Sequence, residues 1–269
     1  ANTAVTAARL GVPTALAGVL GDDLFGEHLR QTLIAEEVDL SLLEAREDCS
    51  APVTLVLNDQ SGERSFVHHG GSNDTWELPP AALERSWEIF HMAAPELLGS
   101  FWPSRCIEAA RAIKEAAGKL SLDVFVAQDA PESGSDPAEA HAPLLELADM
   151  AFPNELEARA ITGRDKLEDV LACLHAFGLE LAVVKLGKRG AAISWDGKVE
   201  HIAAEAVTTI DTCGAGDNFV GGFLAGMIKG LQTKDGHVAF AIEVDPDKGA
   251  RLEPLRKEAE EVVHDLSLI

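Results

Sequence analysis

From residue 89 onward, short apolar runs alternate with longer stretches rich in Ala, Leu and Glu. That alternation limits the possible folds more than any other feature of the chain. Runs at residues 89–93, 122–126, 150–152 and 182–186 have the length and composition of buried strands. Stretches at 105–117, 155–162 and 167–177 read as helices. Strands separated by helices are joined by crossovers and lie parallel, so the expected fold is α/β: a mainly parallel sheet between helix layers.

The first third is more mixed. Residues 4–10 read as a helix closed by Gly11, 14–20 as a strand before Gly21-Asp22-Asp23, and 25–36 as an amphipathic helix. Residues 53–57 and 65–69 read as two strands of a hairpin with a turn-rich connection. Residues 130–143, rich in Pro, Ser, Gly and acids, read as a solvent loop. No internal repeat or long linker interrupts the chain, so residues 1–269 are expected to form a single domain with the 53–69 hairpin inserted as a lid.

Charge narrows the function classes. Lys and Arg number 22 against 45 Asp and Glu, a net charge of −23. Such a surface repels nucleic acid and anionic membranes. No apolar run approaches the roughly 18 residues of a membrane span, and no signal peptide is visible. Cys49, Cys106, Cys173 and Cys213 lack metal-type spacing and read as reduced thiols of a cytoplasmic protein.

The chemistry concentrates at Asp211-Thr212-Cys213-Gly214-Ala215-Gly216-Asp217, which runs into Asn218-Phe219-Val220-Gly221-Gly222-Phe223-Leu224. Gly214, Ala215 and Gly216 can bring backbone N–H groups close to an anion, and a helix starting there adds its positive dipole. Asp217 then sits beside a bound phosphate, where a carboxylate can take a proton from an attacking hydroxyl. Phosphoryl transfer asks mainly for positioning and charge stabilisation, and this run offers both. The alternative is a Gly-rich turn that only caps a helix; two acids around the small residues, with Gly221-Gly222 behind, argue against it.

All 14 positions of 211–224 fit the C-terminal signature of ribokinase-like (pfkB) carbohydrate kinases, and the chain resembles that family from Asn2 to about Leu231. The resemblance implies a ribokinase-like three-layer α/β/α fold with a small β lid, and ATP-dependent phosphorylation of a sugar hydroxyl. Asp217 would be the catalytic base and would touch the sugar. Gly214, Ala215 and Gly216 would form the anion hole. Asn2-Thr3-Ala4, with Gly11 and Gly21 at the family spacing, resembles the end of the N-terminal signature, so Asn2 would hydrogen-bond the sugar; a helix N-cap is the equal alternative. Asn154-Glu155-Leu156-Glu157 resembles the family's Asn-x-x-Glu motif, implying that Asn154 and Glu157 hold Mg²⁺ through water beside the nucleotide. The same spacing suits a capping box.

Val183 to Ala191 resembles the nucleotide-side strand, where Gly187 and Gly190 admit the nucleotide and Lys185 or Lys188 meets phosphates. Gly70 to Asp74 resembles the stretch below the lid, beside His68 and His69, of which at most one points inward. Asp211 and the Cys213 carbonyl would join a monovalent-cation site for K⁺, or Asp211 would only fix its loop.

The chain starts inside the N-terminal signature, and residues 233–269 are atypical, with a strand-like 238–244 and a charged helix from about 250 to 266. Two alternatives stay open beside the sugar kinase: a nucleoside kinase on the same scaffold, and a non-catalytic relative. A strand edge left by a partial lid favours a homodimer.

Overall fold

A computed structural model of the chain describes residues 1–58, 64–116, 118–126, 136–205, 213–230, 243–245 and 249–251. Its centre is a six-stranded sheet in the order β10-β9-β8-β7-β6-β5. Here β5 is Ile89–Ala93, β6 Lys119–Asp123, β7 Met150–Ala151, β8 Leu181–Lys185, β9 Ala191–Trp195 and β10 Lys198–Ile202. The four strands β5 to β8 are parallel, as the alternation implies; β9 and β10 add antiparallel.

Alternate strand residues face opposite layers. Ala182 and Val184 join one apolar cluster with Cys106, Ala110, Ile113, Leu144, Ile161 and Leu174. These come from helices α3 (Ser104–Ala116), α4 (Pro137–Leu145), α5 (Glu155–Thr162) and α6 (Leu167–Ala176). Val183, Met150 and Ile193 face the other way, into a cluster with Ala7, Val220, Phe223 and Leu224 of α1 (Asn2–Arg9) and α7 (Ala215–Ile228). The two-residue period of the strands thus builds both cores at once.

The α1 and α7 backbones nearly touch. A Cβ on Gly221 would stand 2.6 Å from the Thr3 carbonyl oxygen and 2.6 Å from Thr6 Cβ. Thr6 Oγ1 also donates to Asn218 Oδ1 at 2.8 Å. Glycine at this position is therefore a packing requirement.

Outside the main sheet, β1 (Gly18–Gly21) pairs in parallel with β2 (Leu43–Arg46), flanking α2 (Leu24–Ala35). Asp23 caps α2 through Gly26 N–H at 2.8 Å and reaches Ala51 N–H at 2.9 Å. An apolar cavity of about 450 Å³ lies between β1 and β5, walled by Val19, Leu20, Ile89, Met92 and Leu224. The lid ribbon pairs β3 (Val53–Asn58) with β4 (Arg64–His69), matching the expected hairpin. Ser72 Oγ, below it, donates to the Val19 carbonyl at 2.7 Å and ties the Gly70–Asp74 stretch to β1.

The structure corrects several expectations. The strand expected at 14–20 is confined to Gly18–Gly21, with Ala15 making only a single bridge to Asp39. Of the loop expected at 130–143, residues from Pro137 on are helical: Asp136 accepts the Ala138 N–H at 3.0 Å as N-cap, and Pro137 occupies the first turn, where its missing N–H costs nothing. The strand expected at 122–126 ends at Asp123. Beyond α7, Glu243–Asp245 (β11) pairs with Gly249–Arg251 (β12), so Ala250 starts no helix: its backbone is committed to that ladder. The rest of the expected 250–266 helix lies outside the described residues.

Candidate active site

Three strand ends and one helix start converge at the carboxyl edge of the sheet. The helix start is α7. Gly214 precedes it with φ +74°, a left-handed conformation that glycine adopts freely, and no side chain caps it. The first-turn amides have no acceptor within the helix, which makes this end receptive to an anion. Asp217 lies in that first turn. Asn2 Nδ2 donates to Asp217 Oδ2 at 2.8 Å. The N-cap alternative for Asn2 falls away: Ala1 holds the cap position of α1, and no side chain caps that helix. A Cβ on Gly214 would come 2.9 Å from Asn2 Nδ2, so the same side chain packs against the loop it serves.

Lys185 ends β8 and Asp123 ends β6. Lys185 Nζ donates to both Asp123 carboxylate oxygens, at 2.6 and 2.9 Å, in a pair whose side chains are only 15% and 11% exposed. The same Nζ stands 3.5 Å from where a Cβ on Gly216 would be, directly beside the α7 N-terminus. Lys188, by contrast, is exposed. His91 of β5 contributes no charge here: burial, then the nearby Lys185, pushes its ring down to about 3, leaving it neutral. Its Nδ1 meets Ser121 Oγ at 2.9 Å.

Asn154 and Glu157 form a complete capping box at α5. Asn154 Oδ1 accepts from Leu156 N–H and Glu157 N–H, each at 2.9 Å, and Glu157 Oε2 accepts from Asn154 N–H at 2.7 Å. Asn154 also bridges to Lys185 in the sheet, so the cap is fixed beside the ion pair. Burial pushes the Glu157 carboxyl up to about 7 against the Asn154 N–H and the Lys185 charge, while Asp123 and Glu96 add to the push. Burial likewise pushes Asp123 up to about 6 against Lys185, helped by Asp217 and Glu96.

The residues fit a hydrated divalent ion. Among the described residues no cluster of three His, Cys, Asp or Glu side chains has the arrangement to hold a metal alone. Glu157 nevertheless lies buried with Lys185 as its nearby cation and Asp123 and Glu96 as nearby acids, and burial still holds its carboxyl up, so a further positive charge would favour the ionised form. Mg²⁺ keeps several waters and uses few protein ligands. With their cap bonds intact, Asn154 and Glu157 would hold such an ion through water.

The two raised carboxyls give a pH dependence. Unfolded, both ionise near pH 4; folded, Asp123 and Glu157 keep their protons to about 6 and about 7. The unfolded state therefore sheds protons first, and their contribution to stability falls as pH rises from about 4 to about 7, then levels off. In metal-free buffer the melting temperature of Glu157→Gln is expected to decline less over that window than that of the unaltered chain. Parallel declines would contradict the assignment.

Gly187 and Gly190 bound the turn after β8. Gly187 has φ +58° and open space around it. Gly190 has φ +90° and faces the Ile202 carbonyl, so hairpin packing requires it. Asp211 lies outside the described residues, and Cys213, two positions on in the chain, is exposed. The paired histidines make local contacts: His69 Nε2 meets Ser50 Oγ at 2.7 Å and His68 Nδ1 meets Thr54 Oγ1 at 2.8 Å.

Asp123, Glu96 and His141 escaped the sequence reading. Glu96 Oε1 meets His141 Nε2 at 2.9 Å, both nearly buried, and Glu96 Oε2 accepts the Phe125 N–H at 3.1 Å. An acid at the end of the apolar β6 run was the available signal for Asp123.

Residues 1–242 match the family model described as pfkB family carbohydrate kinase. The chain belongs to the pfkB carbohydrate kinase family. A fructokinase from Klebsiella pneumoniae is 35% identical over 84% of this chain and 75% of its own length. The crystal structure of a Vibrio cholerae O395 fructokinase with fructose, ADP and a calcium ion bound is 30% identical, with a TM-score of 0.70 over 84% of this kinase and 74% of that chain. A Salmonella enterica aminoimidazole riboside kinase, solved with aminoimidazole riboside and an ATP analogue, gives 29% identity and a TM-score of 0.71 over 85% of this kinase and 75% of its own. No described helix of the kinase is long and apolar enough to cross a membrane.

Proposed function

We propose that this kinase transfers the γ-phosphoryl group of ATP to a hydroxyl of a small free sugar, with fructose the leading acceptor. One observation carries the reading: Asp217 lies in the first turn of α7, whose N-terminus no side chain caps and whose Gly216 lies beside Lys185, and it accepts a hydrogen bond from Asn2. The acceptor hydroxyl meets Asp217, which takes its proton as the oxygen attacks in line. The amides at Gly214, Ala215 and Gly216 receive the negative charge on the phosphoryl oxygens, and Lys185 adds a fixed positive charge. Gly187, with open space around it, gives the nucleotide a close backbone approach, and Gly190 shapes the same turn. Mg²⁺, when bound, supplies charge neutralisation across the phosphates. A monovalent ion such as K⁺ would sit near Asp211 and Cys213.

Fructokinase similarity supports a sugar, and the riboside-bound relative keeps a nucleoside acceptor as the second reading. Exposed Leu55 and Val67, directly paired across the lid ribbon, favour a homodimer closed through that face.

ADP release from MgATP, measured against fructose, ribose, 2-keto-3-deoxygluconate, tagatose-6-phosphate and adenosine, tests the proposal. Turnover is expected with fructose above the rest. Turnover with adenosine alone would move the assignment to a nucleoside kinase, and silence with every acceptor would remove the kinase reading.

A further inference from the structure

Lys185 and Asp123 form a largely buried ion pair beside the α7 N-terminus. Removing two charges from water costs several kcal/mol per ion, and an apolar pair of similar volume is often as stable. The pair instead has a directed geometry. Asp123 is fixed by its strand: its backbone oxygen accepts the Ala94 N–H at 2.7 Å, and its carboxylate accepts twice from Lys185 Nζ. Lys185 is fixed at its root by Lys185 N–H to Pro153 O at 2.9 Å. A lysine stem has many rotamers, and two hydrogen bonds donated to one carboxylate select a single arrangement. In that arrangement Nζ lies within 3.5 Å of the methyl position of Gly216, at the mouth of the α7 amides.

We infer that Asp123 is a positioning residue for phosphoryl transfer, holding the Lys185 ammonium beside Gly216 so that it faces the phosphate received by the α7 N-terminus. Two of the ammonium's three donors are used by Asp123, and among the described residues the third has no acceptor, which leaves it open to an incoming oxygen. Without Asp123 the charge remains on Lys185 but its place is lost. Asp123 touches no reacting atom in this scheme and acts only through Lys185. The inference rests on the kinase reading above.

A double-mutant cycle on turnover with MgATP and fructose separates the possibilities. Asp123→Asn is expected to lower kcat by about 10–100-fold through misplacement of the charge, with KM for fructose nearly unchanged. In a Lys185→Met background, Asp123→Asn should change kcat by less than about twofold, because the group it positions is gone. Equal losses in both backgrounds would overturn the inference and give Asp123 an independent role. Should Asp123→Asn fail to fold, Lys185→Arg carries the test. It keeps the charge and the pairing but moves the donors, so kcat should fall at least tenfold with an unchanged circular dichroism melt; wild-type kcat would overturn the inference. Absent turnover by the unaltered chain on every acceptor removes the kinase reading itself, and this inference with it.

Discussion

Asp217→Asn lowers kcat by roughly 10²–10⁴-fold, the usual worth of a positioned base, and leaves the melting temperature within about a degree. The two halves of this expectation come from one geometry. Asparagine has nearly the shape of aspartate, and its carbonyl oxygen still accepts from Asn2 Nδ2, which now donates at 2.8 Å to Asp217 Oδ2. The α1–α7 contact therefore survives. What the amide cannot do is accept a proton from the sugar hydroxyl, so the attacking oxygen must carry it into the transition state. Binding is expected to persist, since the amides of Gly214 to Gly216 are untouched, and KM for ATP should move little. Steady-state ADP release beside a thermal melt checks both halves. A variant with wild-type turnover would remove Asp217 as the base, whatever the family.

Gly190→Ala produces the largest expected loss of stability. Gly190 holds φ +90° and ψ −130°, a region essentially closed to other residues. The added methyl would stand 1.8 Å from the Ile202 carbonyl oxygen and 2.7 Å from Ala204 N. The turn cannot rotate away, because Gly190 N–H donates to Gly187 O and Leu186 N–H donates to Gly190 O, each at 2.8 Å. Backbone strain and overpacking together cost about 3 kcal/mol or more, which lowers the melting temperature by on the order of 10 °C in a chain of this size. Gly187→Ala is the internal control: its φ of +58° is also left-handed, yet nothing lies within 4 Å, so only about 1 kcal/mol of conformational cost applies. Equal shifts for the two variants would show that the Ile202 contact is not the cause.

The sequence made different parts of this molecule legible for different physical reasons. Helix α5 was readable to the residue, because Asn154 and Glu157 write a capping box and Gly163 closes the helix with φ +63°. The parallel core from β5 to β8 followed from alternation alone. Helix α4 was hidden because Pro137, Pro143 and the preceding acids look like a loop, while the Asp136 cap decides otherwise. Strand β2, with the pattern Leu-Glu-Ala-Arg, carries no long apolar run, and only its partner β1 gives it an address. In the site, Asp217 and the small residues before it were visible because their chemistry is contiguous in the chain. The Asp123–Lys185 pair spans 62 positions and exists only once β6 and β8 lie near each other in one sheet. Asn2 was a site candidate from its motif, but its hydrogen bond to Asp217, 215 positions away, needed the helix pairing.

That pairing has a meaning for how the kinase would look in a mutational survey. Gly221 leaves no room between α7 and the Thr3 and Thr6 positions of α1, so the helix bearing Asp217 and the helix bearing Asn2 cannot shift separately. Any side chain at 221 pries the two apart and drags Asp217 away from Asn2. A screen that scores turnover alone would thus flag Gly221 as though it met the substrate, when it is a spacer a full turn behind the chemistry. The placement of Asp217 against Asn2 is thus stored as missing bulk at Gly221.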